Sequence, residues 1–402
     1  MFCASPVMAG QGDLSIAARG AILVDLATGQ VLYAKNENER LYPASTTKIL
    51  TAWLAIKHGR LDDVVTIRPD DVGCEGSSVG FQPGEQVKLE NLLYALMLSS
   101  DNDAAQVIAR HVAGSVPAFV DLMNREAAAL GVRDSHFTNP NGLPDVDHYV
   151  TAADLALIAR QAMQERRFRQ IVSTYQYHFR RWLPEPVRGV PQEHFVNHNK
   201  LLWPNSRYYY PGATGVKTGY TNAAGNCLVA AARRGETELL TVVLKDTAPD
   251  FYLDTKKMLD YGFDNFIRVR GLEKGQLLDE VMLAGAGEKK WPVLAGEDFY
   301  YLQKKGDSGQ ISTRLVIEPQ IKAPLQANQP VGRADIYLHG SKIGQVPLLV
   351  GADVPAGGWG IRQLLLALSI LFCSLFCAVW LVRRYNKKRR WVRRRAAALR
   401  MK

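Results

Sequence analysis

The 402-residue chain is 47% hydrophobic and 22% charged, the balance of a folded protein, which excludes disorder and leaves room for more than one domain. Its formal charge of +10 is concentrated in residues 383–402, RRYNKKRRWVRRRAAALRMK, which hold eleven Lys or Arg and no acid. The rest carries 38 basic against 39 acidic residues, a net of −1, so nothing in the body supports nucleic-acid recognition.

Residues 1–9, MFCASPVMA, lack a basic start, but Val7 and Ala9 suit the −3 and −1 positions of a cleavage site; they read as a signal-peptide remnant, with the mature chain starting near Gly10. GAILVDLATGQVLYAKNEN then predicts a hairpin of strands over 21–25 and 30–34, turned at Thr28-Gly29. Residues 46–58 predict a helix that is apolar nearly all round, hence buried on most sides, and stopped by Gly59. Helices also fit LENLLYALML and AAQVIARHVAG, linked by SSDND, and helical patterns cover 116–130 and 151–165. After Gly215 come the strands GVKTGY, NCLVAAARR and ELLTVVLK, the last two joined at Gly235, and a helix in DTKKMLDYGF closes a first domain at 10–265. Early strands, a helical middle and returning strands predict an α/β (α+β) domain with an antiparallel sheet and a helical cluster; no sustained βαβ alternation supports a doubly wound sheet.

From 266 to 352, runs such as EVMLAG, TRLVIEP, ADIYLHG and KIGQVPLLV alternate with turn residues and predict a small all-β domain of sandwich or barrel-like form. A linker at 353–363 leads to LLLALSILFCSLFCAVWLV, 364–382, nineteen residues without charge that would cross a bilayer as a transmembrane helix at about 1.5 Å per residue. Eleven cations follow the span and only Arg362 stands in the fifteen residues before it, so 383–402 is predicted to be a basic cytoplasmic tail and the body extracytoplasmic. The tail would also attract anionic membrane lipid. Of five cysteines, Cys3 falls in the remnant and Cys373 and Cys377 in the span, while Cys74 and Cys227 read as buried apolar side chains or one disulfide. His194 and His198 have the spacing of a helical metal pair, but no third ligand accompanies them and no metal site is predicted.

Three short motifs invite chemistry. In LYPASTTKILTAWLAIKHG, Ser45 and Lys48 lie one helical turn apart. A serine at a helix start is ordinarily a cap, yet a desolvated lysine on the same face can act as its base, and the helix N-terminus favours a developing oxyanion. Ser100-Asp101-Asn102, between two predicted helices, reads in isolation as helix capping. Lys217-Thr218-Gly219 lies on a predicted strand, where a buried cation needs a reason and a glycine lets another backbone come close.

Serine-x-x-lysine at a helix start, serine-x-asparagine between helices and lysine-threonine-glycine on a strand, in this order, form the signature of penicillin-binding proteins and serine β-lactamases. With HFTNPNGLPDVDHYVTAADLALIAR, NHNKLL, GVKTGYTNAAGNCLVAAA and DTKKMLDYGF added, the chain resembles the low-molecular-mass penicillin-binding proteins over about residues 14–265. These are the serine-type D-alanyl-D-alanine carboxypeptidases, peptidase family S11. The resemblance implies Ser45 as nucleophile, Lys48 as general base with a pKa lowered by burial and Lys217, Ser100 as proton relay to the leaving D-alanine, and Asn102 holding Lys48 and the substrate amide. Lys217 and Thr218 would meet the substrate's terminal carboxylate, Gly219 would let the substrate backbone lie against the strand, and the backbone N–H groups of Ser45 and Tyr220 would form the oxyanion hole. The implied substrate is a peptidoglycan stem peptide ending in D-Ala-D-Ala, with acylation by β-lactams and no cofactor.

There are departures from the family's pattern. Asp101 gives the second motif a β-lactamase look, Tyr220 stands where some relatives have histidine, and TVVLKDTAPDFYLDTKK contains no arginine where relatives often use one to hold the carboxylate; Lys245 is the nearby cation. A β-lactamase would need the acid of an ExxLN segment, which is missing, and EHFVN has the wrong spacing. A non-catalytic penicillin-binding-like sensor or wall-binding module is the alternative outside enzymology.

Overall fold

The computed structural model describes residues 14–181, 194–247, 249–356 and 361–399; residues 1–9, with Cys3, and part of the 353–363 segment lie outside the described residues. The chain forms two compact units, one of Met1–Gly271, Tyr300–Ser312 and Ile336–Gly344, the other of Leu272–Phe299, Thr313–Asp335 and Gln345–Lys402.

In the first unit, β1 (Gly20–Asp25) and β2 (Val31–Lys35) form the expected hairpin. Asp25 Oδ2 closes its turn by accepting from Thr28 N at 3.0 Å and Thr28 Oγ1 at 2.6 Å, and Gly29 supplies the left-handed φ of 79°. A 3₁₀ turn, Ala44–Thr47, enters α1 (Lys48–His58), so the segment read as one helix from 46 is two elements. The short strands β3 (Val64–Thr66) and β4 (Gln86–Lys88) pair antiparallel, followed by α2 (Leu89–Leu98), α3 (Asn102–Ala113), α4 (Val116–Leu130) and α5 (Ala152–Ala162). Next comes α6 (Arg166–Ser173), whose three arginines mask a buried face made only by Phe168, Ile171 and Val172. The hairpin of β5 (Gln176–His178) and β6 (His194–Val196) stacks His194 on His178, with ring centroids 4.0 Å apart. His194 and His198 therefore do not share a helix face. The unit continues with β7 (Ala213–Thr221), β8 (Gly225–Arg234), β9 (Thr237–Asp246) and α7 (Asp250–Asn265).

Five of these strands make one antiparallel sheet, ordered β2-β1-β9-β8-β7, so the N-terminal hairpin docks on β9, more than 200 residues later in the chain, with Leu23 opposite Thr241. Both faces are buried, and the pleat divides side chains between them. Ile22, Val24, Cys227, Val229 and Val242 join α1 to α6 in one core; Leu23, Leu228, Ala230 and Leu239 pack with Met258 and Leu259 of α7 in another. Ile49, Leu50, Trp53 and Leu54 bury α1 in the first core, as its all-round apolar pattern requires.

Residues 266–352 are all β: β10 (Phe266–Leu272), β11 (Leu277–Met282), β12 (Lys290–Ala295), β13 (Phe299–Lys304), β14 (Ile311–Ile317), β15 (Pro330–Leu338) and β16 (Ser341–Val350). They form a five-stranded sheet, β11-β12-β16-β15-β14, and the pair β10-β13. Finally α8 (Ile361–Leu399) runs unbroken for 39 residues through the apolar segment and most of the basic one. Its stretch Leu365–Arg393 is long and apolar enough, by length and composition, to cross a membrane. Cys74 and Cys227 are both free thiols; Cys227 is buried, whereas Cys74 is only half-buried, against the expectation for it.

Candidate active site

Ser45 sits in the 3₁₀ turn ahead of α1, where residues three apart eclipse, and this brings Lys48 Nζ within 3.1 Å of Ser45 Oγ. The residue before it, Ala44, holds φ at 47°, a conformation a non-glycine residue keeps only when its surroundings enforce it. Those surroundings include β7. A Cβ on Gly219 would stand 3.0 Å from Ser45 N, 3.1 Å from Pro43 O and 3.1 Å from Thr46 N. The glycine of the third motif thus admits the backbone of the Ser45 turn, a role distinct from the expected contact with substrate backbone.

Lys48 is wholly buried and donates to three oxygens: Ser45 Oγ, Asn102 Oδ1 at 2.6 Å and Asn141 O at 2.6 Å. None is a carboxylate. Burial first, then the charge of Lys217, lowers its pKa well below that of a free lysine, against a smaller opposing pull from Asp101. An amine that loses its proton here turns a lone pair to the serine hydroxyl. Asn141 was not singled out in the sequence because it acts through its backbone carbonyl, which any residue could supply.

Asn102 is the first residue of α3, and its amide is oriented by a second bond, Nδ2 to Glu75 O, while its backbone N–H donates to Ser77 O at 2.8 Å. Asp101 caps the helix: one carboxylate oxygen accepts from Ala104 N and the other from Val79 N. Burial raises its pKa to about 6. Asp103 accepts from Cys74 N at 2.9 Å and Ser78 Oγ at 2.7 Å. The capping reading of the second motif therefore holds through Asp101, and the same bonds fasten the segment 74–79 against Asn102, whose amide oxygen meets Lys48. Ser100, with φ of 60°, is buried at the cleft wall; among the described residues its hydroxyl makes no hydrogen bond to Ser45 or Lys48.

On β7, Lys217 is 1% exposed and its Nζ donates to Thr218 O at 3.0 Å; burial pushes its pKa down to about 7. Tyr220 is 62% exposed and its hydroxyl donates to Asn222 Oδ1 at 3.1 Å. Ser45, Ser100, Thr218, Gly219 and Tyr220 line one cleft of about 440 Å³, with Lys48, Asn102 and Lys217 beneath it. The cleft is also lined by His198, read in the sequence only as half of a metal-like pair, and by Lys200, Tyr208, Asn226, and Phe251 and Tyr252 from α7, to which the sequence reading gave no role. Lys245 is exposed and does not line the cleft. Among the described residues there is no cluster of His, Cys, Asp and Glu that could hold a metal.

Residues 7–248 match the family described as D-alanyl-D-alanine carboxypeptidase, and residues 266–356 match the penicillin-binding protein 5 C-terminal domain. The chain is 31% identical over 360 residues to D-alanyl-D-alanine carboxypeptidase DacF of Bacillus subtilis, covering 86% of this chain and 88% of the relative. It is 33% identical over 362 residues to D-alanyl-D-alanine carboxypeptidase DacA of Escherichia coli, covering 87% and 86%. Among solved structures, penicillin-binding protein 5 of Haemophilus influenzae superposes with a TM-score of 0.69 at 29% identity, covering 85% of this chain and 98% of that one.

Proposed function

The chain belongs to the D-alanyl-D-alanine carboxypeptidase family, and from that premise we propose how its cleft removes the terminal D-alanine from a peptidoglycan pentapeptide stem. Neutral Lys48 takes the proton of Ser45 as Oγ bonds to the carbonyl carbon between the two D-alanines. The oxyanion is met by the backbone N–H groups of Ser45 and Tyr220. Ser100 relays the proton held by Lys48 to the leaving D-alanine nitrogen, the C–N bond breaks, Lys48 is neutral again, and water then hydrolyses the Ser45 ester. Asn102 keeps Lys48 and the substrate amide in line, and Thr218, above Lys217, receives the terminal carboxylate. A β-lactam acylates Ser45 by the same first step.

The observation that carries this reading is the wholly buried Lys48, 3.1 Å from Ser45 Oγ and bonded otherwise only to neutral oxygens. Burial lowers the pKa of an amine so held and suits it to act as a base, which a sensor domain would not need. The division of labour we propose is catalysis by 10–265, a β-rich domain at 266–352, a linker at 353–363, a single membrane span at 364–382 and a cytoplasmic tail at 383–402, with the cleft outside the cytoplasm. Release of D-alanine from diacetyl-L-lysyl-D-alanyl-D-alanine, together with labelling by a fluorescent penicillin, tests the reading. Ser45→Ala should abolish both, and survival of either would overturn the assignment of the nucleophile.

A further inference from the structure

A carboxypeptidase must grip the free carboxylate at the end of its substrate, and the obvious cations are poorly placed for it here. Lys217 is buried with its Nζ turned to Thr218 O. Burial also lowers it to about 7, so it carries only a partial charge at neutral pH. Beyond β9 the chain reads Lys245-Asp246-Thr247: Lys245 is exposed with φ of 52° and lies off the cleft, and Asp246 is a buried acid whose side chain accepts from Thr247 N at 2.6 Å.

The basic side chains that do line the cleft, His198 and Lys200, come from one turn that is pinned on several sides. Asn197 Nδ2 donates to Val172 O at 3.2 Å and Thr174 O at 3.0 Å, and Asn197 O accepts from Trp203 Nε1 at 2.6 Å. Tyr252 is 4% exposed, and its hydroxyl donates to His198 O at 2.9 Å and accepts from Lys200 N at 3.2 Å. The backbone of Lys200 is therefore fixed to α7. Its ammonium is exposed, 5.9 Å from the Trp203 ring centroid, and among the described residues it enters no ion pair. His198 is exposed at the cleft, and desolvation there, with the charge of Lys217 second, lowers its pKa to about 4.

We propose that Lys200 binds the substrate's C-terminal carboxylate together with the Thr218 hydroxyl, in the role that the family commonly gives to an arginine; this rests on the carboxypeptidase reading above. A rigid turn carrying an unpaired ammonium into the same cleft as Ser45 and Thr218 is what a carboxylate site requires. A lysine is a point charge and lacks the bidentate fork of a guanidinium, so the grip is orientation-tolerant and, at an exposed position, sensitive to salt.

The test compares the full-length protein in detergent on diacetyl-L-lysyl-D-alanyl-D-alanine and on the same peptide with a C-terminal amide. The wild type should prefer the free acid. Lys200→Gln should lower kcat/KM for the acid about ten-fold, mostly through KM, while the amide peptide loses far less, the size expected for one charge-assisted contact. Lys200→Arg should restore the preference, and added salt should erode it in the wild type but not in Lys200→Gln. One-to-one penicillin labelling of the variant shows that it is folded. An unchanged acid-to-amide ratio in folded Lys200→Gln would overturn the proposal; failure of the wild type to release D-alanine from either peptide would instead bring down the reading on which it rests.

Discussion

Lys48 Nζ lies 2.6 Å from Asn102 Oδ1, and the asparagine cannot turn its amide over without giving up its bond to Glu75 O. The Lys48 amine is thereby held by a neutral acceptor of fixed orientation. Asn102→Asp would put a carboxylate at that distance and favour the ammonium, raising the pKa of Lys48. The acidic limb of the penicillin acylation rate should then move to higher pH, read by stopped-flow with a fluorescent penicillin. A limb that stays in place would argue against Lys48 as the base. Asn102→Ala should slow acylation by about 100-fold, the lower range for loss of a positioned acid–base group.

Removing the charge of Asp101 should have the opposite effect. Asp101 is buried, and its charge pulls the pKa of Lys48 upward. Asp101→Asn should move the same limb to lower pH while weakening one of two backbone bonds, to Ala104 N or Val79 N, at a cost of about 1 kcal/mol in stability. Acylation profiles and denaturant melts of the one variant check both parts.

Lys217 makes the native state sensitive to alkali in a calculable direction. Its pKa is about 7 in the fold against 10.5 for an ordinary lysine, so between these values the unfolded chain binds a proton that the native chain does not. Stability from this group therefore rises with pH from about 7 to about 10.5, and below 7 the penalty for burying the charge is present in full. Lys217→Met should raise the thermal midpoint at pH 7, flatten its rise with pH, and still abolish activity. Calorimetry at several pH values would show it.

Gly219→Ala tests the contact between β7 and the turn of the nucleophile. The new methyl would meet three backbone atoms at 3.0–3.1 Å, none of which is the end of a flexible side chain. The turn must shift, displacing Ser45 and its N–H together. We expect a loss of about 1–3 kcal/mol in stability and at least about a ten-fold fall in acylation. Unaltered acylation would mean that the glycine serves the substrate alone.

Removing 364–402 deletes the apolar helix and the basic segment but no residue of the cleft. The shortened protein should leave the membrane fraction and keep its kcat/KM on the soluble tripeptide within about two-fold, since the reacting groups lie within one compact unit. Fractionation followed by a D-alanine assay reads both outcomes.

What the sequence determined by itself is local or ordinal. Near-continuous apolar runs in NCLVAAARR and ELLTVVLK mark buried strands, the all-round apolar run after Lys48 marks a buried helix, and uncharged 364–382 marks a helix fit for a bilayer. The order of Ser45-Lys48, Ser100-Asn102 and Lys217-Gly219 named the chemistry. Only the tertiary structure decided which groups meet. It set β1 beside β9, brought Asn141 O to Lys48, laid the Ser45 turn on Gly219, and set Lys200 on the cleft through a hydroxyl from α7. These contacts join residues far apart in the chain, and some run through backbone atoms that every amino acid carries. No local pattern records them, because they are consequences of how the two faces of the sheet are packed.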